Sequence, residues 1–378
     1  MKRIKPRQYP LPLLQINPPK ISETNRVLSQ AYTSGNFSNS GNIQKEVSAT
    51  LAGHVNSSLR GELVSNNTIG LTAALLAIGV KGKHVLLSNF TFAATLQSIL
   101  LAGGIPVVCD VDDSTLELEP EIIRGILSCG KYNLAAVVPT RVLGYINDFS
   151  PLVELCGAFN IPVVVDAAAT FPSKSAHWEF DHQATYEVFS FHATKVFGIG
   201  EGGLVVGKPA DVKKVNEKIN FGFTTANKIE FTEGLNAKAD EFTSARAKVR
   251  FSNYEKDCRR RREFACHYED LVSKSNQLTC LTSNEKTIFA YFPIIFQESK
   301  QLIRFKNALD QKVSSRRYYF PTIYRGYKGK SDVIFESDLD VSEKFAPKIL
   351  CLPVYTKYSR RIPTQLIRDL TKILDVIS

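Results

Sequence analysis

The sequence predicts an α/β fold built on a mostly parallel sheet, with a smaller α+β domain at the C-terminal end. Three observations predict it. Short runs that are apolar throughout recur between about residues 45 and 230: Val85-Leu86-Leu87, Pro106-Val107-Val108, Ala135-Ala136-Val137-Val138, Val163-Val164-Val165 and Val188-Phe189. Helical stretches, such as residues 91–102 and 119–128, lie between several of them. Beyond residue 275, short strands and helices mix without that order. A strand covered on both faces loses the alternation of a half-exposed one, and intervening helices supply the crossovers that parallel strands require.

Residues 1–45 are rich in Pro, Ser, Asn and Gly, as in Ser34-Gly35-Asn36-Phe37-Ser38-Asn39-Ser40-Gly41. They read as an N-terminal arm and loop with one short helix near residues 24–31. Residues 46–245 form the large α/β domain, and residues 246–378 a connecting helix and the small domain. A charged helical stretch, residues 241–273, carries Arg259-Arg260-Arg261-Arg262, which reads as a solvated helix face.

At 378 residues the chain has room for roughly two domains. Its 44% apolar and 22% charged residues match an ordinary globular protein. The formal charge of +10 is scattered, so no nucleic-acid partner is expected, and an anionic small substrate accounts for the excess. No apolar run reaches the ~18 residues that span a membrane. The basic start, Met1-Lys2-Arg3-Ile4-Lys5-Pro6-Arg7, lacks the apolar core of a signal peptide. The seven cysteines are dispersed and odd in number, without metal-ligand spacing. They read as buried free thiols in a reducing cytoplasm.

In such sheets a ligand binds beyond the carboxyl ends of the strands. Asn89, Asp110, Thr140, Asp166 and Ser190 therefore come first. Ser190 opens Ser190-Phe191-His192-Ala193-Thr194-Lys195, and Gly198, Gly200, Gly202 and Gly203 follow closely. Asp166 closes Ile161-Pro162-Val163-Val164-Val165 and leads into Ala167-Ala168-Ala169. An amine and an acid at the tips of buried strands suit pyridoxal 5'-phosphate. A lysine captures its aldehyde as a Schiff base, and its ring nitrogen needs an anionic partner to stay protonated. An aspartate in this place also serves as a helix cap. Val64-Ser65-Asn66-Asn67-Thr68-Ile69-Gly70, before a helical run from Leu71 to Ile78, offers hydroxyls and free amides to a phosphate, and equally caps a helix. Ser190 adds a hydroxyl. Phe92, in Ser88-Asn89-Phe90-Thr91-Phe92, suits stacking on a flat ring or a place in the core. The glycines after Lys195 leave room for a bulky substrate against the backbone.

These pieces, in this order, resemble the pyridoxal-phosphate-dependent sugar aminotransferases of the DegT/DnrJ/EryC1/StrS type, within the aspartate-aminotransferase fold (fold type I). The resemblance covers nearly the whole chain. It is carried by the Lys195 motif, Gly200-Glu201-Gly202-Gly203, Asp166-Ala167-Ala168, Phe90-Thr91-Phe92-Ala93-Ala94-Thr95 and Gly234-Leu235-Asn236-Ala237-Lys238. It implies a seven-stranded large sheet, Lys195 as the Schiff-base lysine and proton carrier, Asp166 as the ring-nitrogen partner and Phe92 as the stacking ring. Asn67, Thr68, their backbone amides and Ser190 become the phosphate cup. The resemblance also implies that Asn236 reaches the cofactor phosphate of a neighbouring subunit, which makes a homodimer with shared sites obligatory.

Three positions depart from the family pattern. Ala169 stands where Gln is often found near the cofactor's phenolic oxygen, leaving Thr170 or a more distant residue to replace it, or no contact. Asn67 stands where Gly is common, and Asn tolerates unusual backbone angles. Arg141 stands near a common His, and either touches an anionic ligand or is exposed.

The activity the resemblance implies is transfer of nitrogen from L-glutamate to a nucleotide-linked keto sugar. The arm from Ser34 to Asn42 is similar to that of members aminating C4 of a dTDP-4-keto-6-deoxy-hexose, for surface-glycan or O-antigen synthesis. A 3-keto sugar, a GDP- or UDP-linked sugar, and a non-catalytic ligand-binding relative are the alternatives. Arg316, Arg317, Tyr318 and Tyr319, before Phe320-Pro321, read as contacts for the diphosphate or as a solvated basic edge.

Overall fold

The computed structural model describes residues 10–173, 185–224, 228–229, 233–336 and 338–377, so the basic start of the N-terminal arm, residues 1–9, lies outside the described residues. Helix α1 (Ile21–Ser34) is longer than the short helix expected and ends at Gly35, whose φ of +69° suits glycine. Helix α2 (Asn42–Val55) starts on a carboxylate: the amides of Ile43 and Gln44 donate to Glu241 at 3.0 and 2.9 Å. Strands and helices then alternate as β1 (Arg60–Val64), α3 (Asn67–Ile78), β2 (His84–Ser88), α4 (Ala93–Leu101), β3 (Ile105–Cys109), α5 (Pro120–Ser128), β4 (Leu134–Val138), α6 (Ser150–Ala158) and β5 (Val163–Asp166). Next come β6 (Thr185–Ser190), β7 (Gly203–Gly207), α7 (Pro209–Ile219), α8 (Glu241–Phe251) and α9 (Tyr254–Ser273). The remainder holds β8 (Leu278–Thr279), β9 (Phe292–Phe296), α10 (Ser299–Leu309), α11 (Ile323–Tyr327), β10 (Ile334–Phe335), α12 (Asp340–Phe345), β11 (Ile349–Leu352) and α13 (Arg361–Ile377).

Among the described residues, one sheet runs β1-β7-β6-β5-β4-β2-β3-β10 and a second β11-β9-β8. From β6 to β10 neighbours are parallel, whereas β7 is antiparallel to both β6 and β1. Alternate residues of the apolar runs serve opposite faces. Leu86, Val107, Val137 and Val165 join one buried cluster, and Val85, Val108, Val138 and Val164 join the other. That double burial is why the runs do not alternate in polarity.

Residues 46–245 supply the seven strands expected, β1 to β7, and β10 adds an eighth to their sheet. Ile334 and Phe335, from the C-terminal part, pair with Val107 and Val108 and cover the edge that β3 would otherwise expose. The charged 241–273 stretch is two helices, α8 and α9, separated at residues 252–253. The thiols are also corrected: Cys109, Cys156 and Cys351 are buried, but Cys129 and Cys266 are exposed.

The arginine run is only partly a solvated face. Arg261 is 8% exposed and donates to the carbonyls of Phe289, Ala290 and Val354, at 2.5 to 3.0 Å, tying α9 to the segments just before β9 and just after β11. Arg260 lies 4.2 Å from the Tyr358 ring centroid. Arg261→Met keeps the bulk and strands three carbonyls, so a loss of about 3 kcal/mol or more is expected. A thermal melt reads it, with Arg259→Met, on the exposed side, as the near-neutral control.

Candidate active site

A cavity of about 610 Å³ opens beyond the carboxyl ends of β4, β5 and β6. Asn67, Thr68, Phe92, Asp166, Ser190 and Lys195 all border it. Asn236 is not among the lining residues. It is exposed, and its Oδ1 accepts from Lys238 Nζ at 3.1 Å.

Asp166 ends β5 and is 3% exposed. Thr95 Oγ1 donates to its Oδ2 at 2.7 Å, and the Ala168 amide to its Oδ1 at 3.2 Å. Burial pushes its carboxyl up, and bonds from Thr95, Ala168 and Asn67 together with the Lys195 charge pull it back. A turn follows, not a helix, so the helix-cap reading fails. Lys195 sits in the turn after β6. Burial lowers its amine's pKa, Asp166 raises it, and Arg316 adds a further lowering push. An amine nearer neutrality is the nucleophilic form. The turn is fixed from below: Lys195 N donates to His192 O at 2.8 Å, and Arg250 Nη2 to Val196 O at 2.7 Å. Arg250 in turn pairs with buried Asp257 at 2.5 Å.

The N-terminus of α3 faces the same space. Asn66 caps it, its Oδ1 accepting from Ile69 N at 3.0 Å, which leaves the amides of Asn67 and Thr68 as the helix's open donors. Gly203 makes this approach possible. A Cβ there would lie 3.0 Å from Asn66 C and Asn67 N, and 2.9 Å from Phe189 O. At Gly200, with φ of +120°, glycine answers a backbone need. These two glycines thus accommodate the chain itself, not a bulky substrate. Phe92, just before α4, is 50% exposed over the cavity, so the core reading of this ring fails.

The five strand-end residues divide in two. Thr140, Asp166 and Ser190 border the cavity, but Asn89 and Asp110 dock the C-terminal part. Asn89 bonds Ser342 and the Tyr324 amide, and Asp110 accepts from the amides of Val341 and Ser342 at 2.7 and 2.8 Å. At the departures, Ala169 borders the cavity, and Thr170 is fully buried with its hydroxyl on Ala167 O, so it does not replace the missing Gln. Asn67 is the first helical residue of α3, without a left-handed φ; its Nδ2 donates to Val188 O at 3.0 Å. Arg141 is 1% exposed, ruling out the exposed reading; its Nε donates to buried Glu187 at 3.2 Å, and it borders the cavity, as the anionic-ligand reading requires. Asn66, Thr95 and Thr91 are contributors the sequence reading did not single out as site residues. Asn66 escaped notice because α3 starts at Asn67, four residues before the helical run read from the sequence.

These groups fit pyridoxal phosphate: a desolvated amine, a buried acid, an uncovered aromatic face and a helix N-terminus for the phosphate. A model of the DegT/DnrJ/EryC1/StrS aminotransferase family matches residues 19–370. This chain belongs to that family. It is an aminotransferase whose cofactor is pyridoxal 5'-phosphate, and its fold is type I of the pyridoxal-phosphate enzymes. The chain is similar to the dTDP-4-amino-4,6-dideoxy-D-glucose transaminase of Shigella dysenteriae, 27% identical over 97% of this chain and 100% of that protein. Among solved structures, DesI in the presence of its TDP-sugar product matches with a TM-score of 0.82 and 23% identity, over 98% of this chain and 95% of that one. NtdA of Bacillus subtilis with bound cofactor PMP matches with a TM-score of 0.81 and 20% identity, over 99% and 87%. Among the described residues, no helix of this DegT/DnrJ/EryC1/StrS member is long and apolar enough to cross a membrane.

Proposed function

We propose that this aminotransferase moves an amino group from L-glutamate to a nucleotide-linked keto sugar, at C4 of a dTDP-4-keto-6-deoxy-hexose, for surface-glycan synthesis in the cytoplasm. The observation that carries the reading is the meeting of Lys195 and Asp166 in one cavity, from the ends of adjacent parallel strands. The sugar is supported by the name of the Shigella relative and by the product held in DesI. A second pocket of about 230 Å³, lined by Arg316, Arg317, Tyr318 and Tyr319, shares Phe92, Arg316, Tyr318 and Tyr319 with the first and offers guanidinium groups to a diphosphate.

Pyridoxal phosphate, when bound, supplies the aldehyde and the electron-withdrawing ring. Lys195 Nζ anchors the aldehyde between half-reactions. Its free amine would be the base that holds and moves the substrate proton. Asp166 keeps a negative charge beside the ring nitrogen. Phe92 covers one ring face and excludes water there. The amides of Asn67 and Thr68, with the hydroxyls of Thr68 and Ser190, hold the phosphate. Two copies share the sites, Asn236 of each serving the other; its exposure and its absence from the lining of its own cavity support this part.

Absorbance tests the reading. The loaded protein is expected to be yellow, with its visible band moving to shorter wavelength on addition of glutamate. A dTDP-4-keto-6-deoxy-hexose then restores the band. Failure of glutamate to move it overturns the donor, and bleaching that only a 3-keto or UDP-linked sugar reverses overturns the acceptor.

A further inference from the structure

Three buried threonines link the cavity wall to Asp166. Thr95 Oγ1 donates to Asp166 Oδ2 at 2.7 Å, Thr91 Oγ1 lies 2.8 Å from Thr95 Oγ1, and Thr140 Oγ1 lies 2.7 Å from Thr91 Oγ1. The hydroxyls come from separate places: the link between β2 and α4, the first turn of α4, and the end of β4. Thr91, Thr95 and Thr140 are 2%, 0% and 4% exposed, so bulk water does not compete for their protons. An ionised carboxylate has no proton to give, so the Thr95 hydrogen must point at Asp166. The Thr95 oxygen is then free to accept from Thr91, and Thr91 from Thr140. With all three aligned, each bond polarises the next, and the stabilisation ends on the charged carboxylate.

We propose that Thr95, backed by Thr91 and Thr140, is a positioning residue that keeps Asp166 ionised and oriented toward the cofactor's ring nitrogen. This rests on the role given to Asp166 under the proposed function. Burial by itself favours the neutral acid, so something must hold the charge. Two titratable groups face Asp166 besides this chain: Lys195 from the turn after β6, and the phenol of Tyr319 from the C-terminal part. Neither is a constant source. Lys195 gives up its own charge to act as nucleophile and base, and burial keeps the Tyr319 phenol protonated. Asn67 adds a neutral amide, and Ala168 a backbone N–H at a longer 3.2 Å. Like these two neutral donors, the threonine chain stays the same through both half-reactions, and it supplies the shortest bond, 2.7 Å.

The test compares Thr95→Val, which keeps the shape and removes the hydroxyl, with Thr95→Ser, which keeps the hydroxyl. The first readout needs no cofactor: ¹³C NMR titration of carboxyl-labelled aspartates in the apo-protein, with Asp166 assigned by Asp166→Asn. The Asp166 pKa is expected to rise by about one pH unit in Thr95→Val and to stay near wild type in Thr95→Ser. Thr140→Val, at the far end, moves it the same way by less, and carries the test if Thr95→Val does not fold. In the loaded protein, the glutamate-driven absorbance change is expected to slow about tenfold in Thr95→Val and recover in Thr95→Ser. An unshifted Asp166 in the valine variants, or a Thr95→Ser protein as slow as Thr95→Val, overturns the proposal. A wild-type protein that takes up no pyridoxal phosphate would sink the proposed function instead, and the apo titration would still decide the threonines.

Discussion

Replacing Lys195 with alanine is expected to abolish the visible absorbance of the loaded protein and to slow transamination by at least ~10²–10⁴-fold, the range that a positioned acid–base group supplies. The loss is large because one side chain performs two tasks, anchoring the aldehyde and carrying the proton. Among the described residues lining the cavity, no second lysine stands ready to replace it. The variant is expected to fold normally, since alanine removes an amine whose burial already disfavours its charge. Single-turnover absorbance with glutamate, beside a thermal melt, separates the two effects. Undiminished turnover would remove Lys195 from the mechanism.

Asp166→Asn is expected to produce the second-largest loss. Asparagine keeps the shape and the bond from Thr95 but places no negative charge beside the ring nitrogen. Breaking a buried ion pair by removing one partner costs about 3–5 kcal/mol, which corresponds to roughly 10²–10³-fold in rate. In the apo-protein the sign reverses. Burial raises the Asp166 carboxyl above the ordinary aspartate value of 3.8, so the native state holds this proton more tightly than the unfolded chain. Its ionisation therefore costs stability as pH rises above about that value. The apo variant is expected to melt no lower than wild type at pH 7, and to lose less stability between acid and neutral pH. A slow enzyme that is also less stable at pH 7 would mean that asparagine breaks the local structure, and the rate loss would then say nothing about charge.

Much of the fold was legible because it rests on runs of like residues. Val163-Val164-Val165 reads as a strand in any environment that covers both faces, and its end at Asp166 is visible as the point where polarity returns. β1 and β7 escaped that reading. Arg60-Gly61-Glu62-Leu63-Val64 and Gly203-Leu204-Val205-Val206-Gly207 mix glycine or charge with apolar residues, and they hold as strands by pairing with each other and with β6. β10, two residues long, has no signature of its own and exists because β3 offers it an open edge.

The same division runs through the active site. By itself the sequence determined which chemical groups stand at the strand ends: the Lys195 amine, the Asp166 carboxyl, the Phe92 ring and the donors around Thr68. Local order along the chain places them, and their types restrict the chemistry. Only the tertiary structure decided which polar residues serve that site and which hold the protein together. Asn89 and Asp110 end strands as Asp166 does, yet they bind α12 and its surroundings. Arg261 looks like a solvent-facing charge and is buried against backbone carbonyls, and Arg141, open to two readings in the sequence, is buried against Glu187. Thr91, Thr95 and Thr140 become one chain of hydroxyls only when β2, α4 and β4 are packed side by side. A polar side chain's role is set by the partner it meets, and that partner lies anywhere from 4 to 253 residues away.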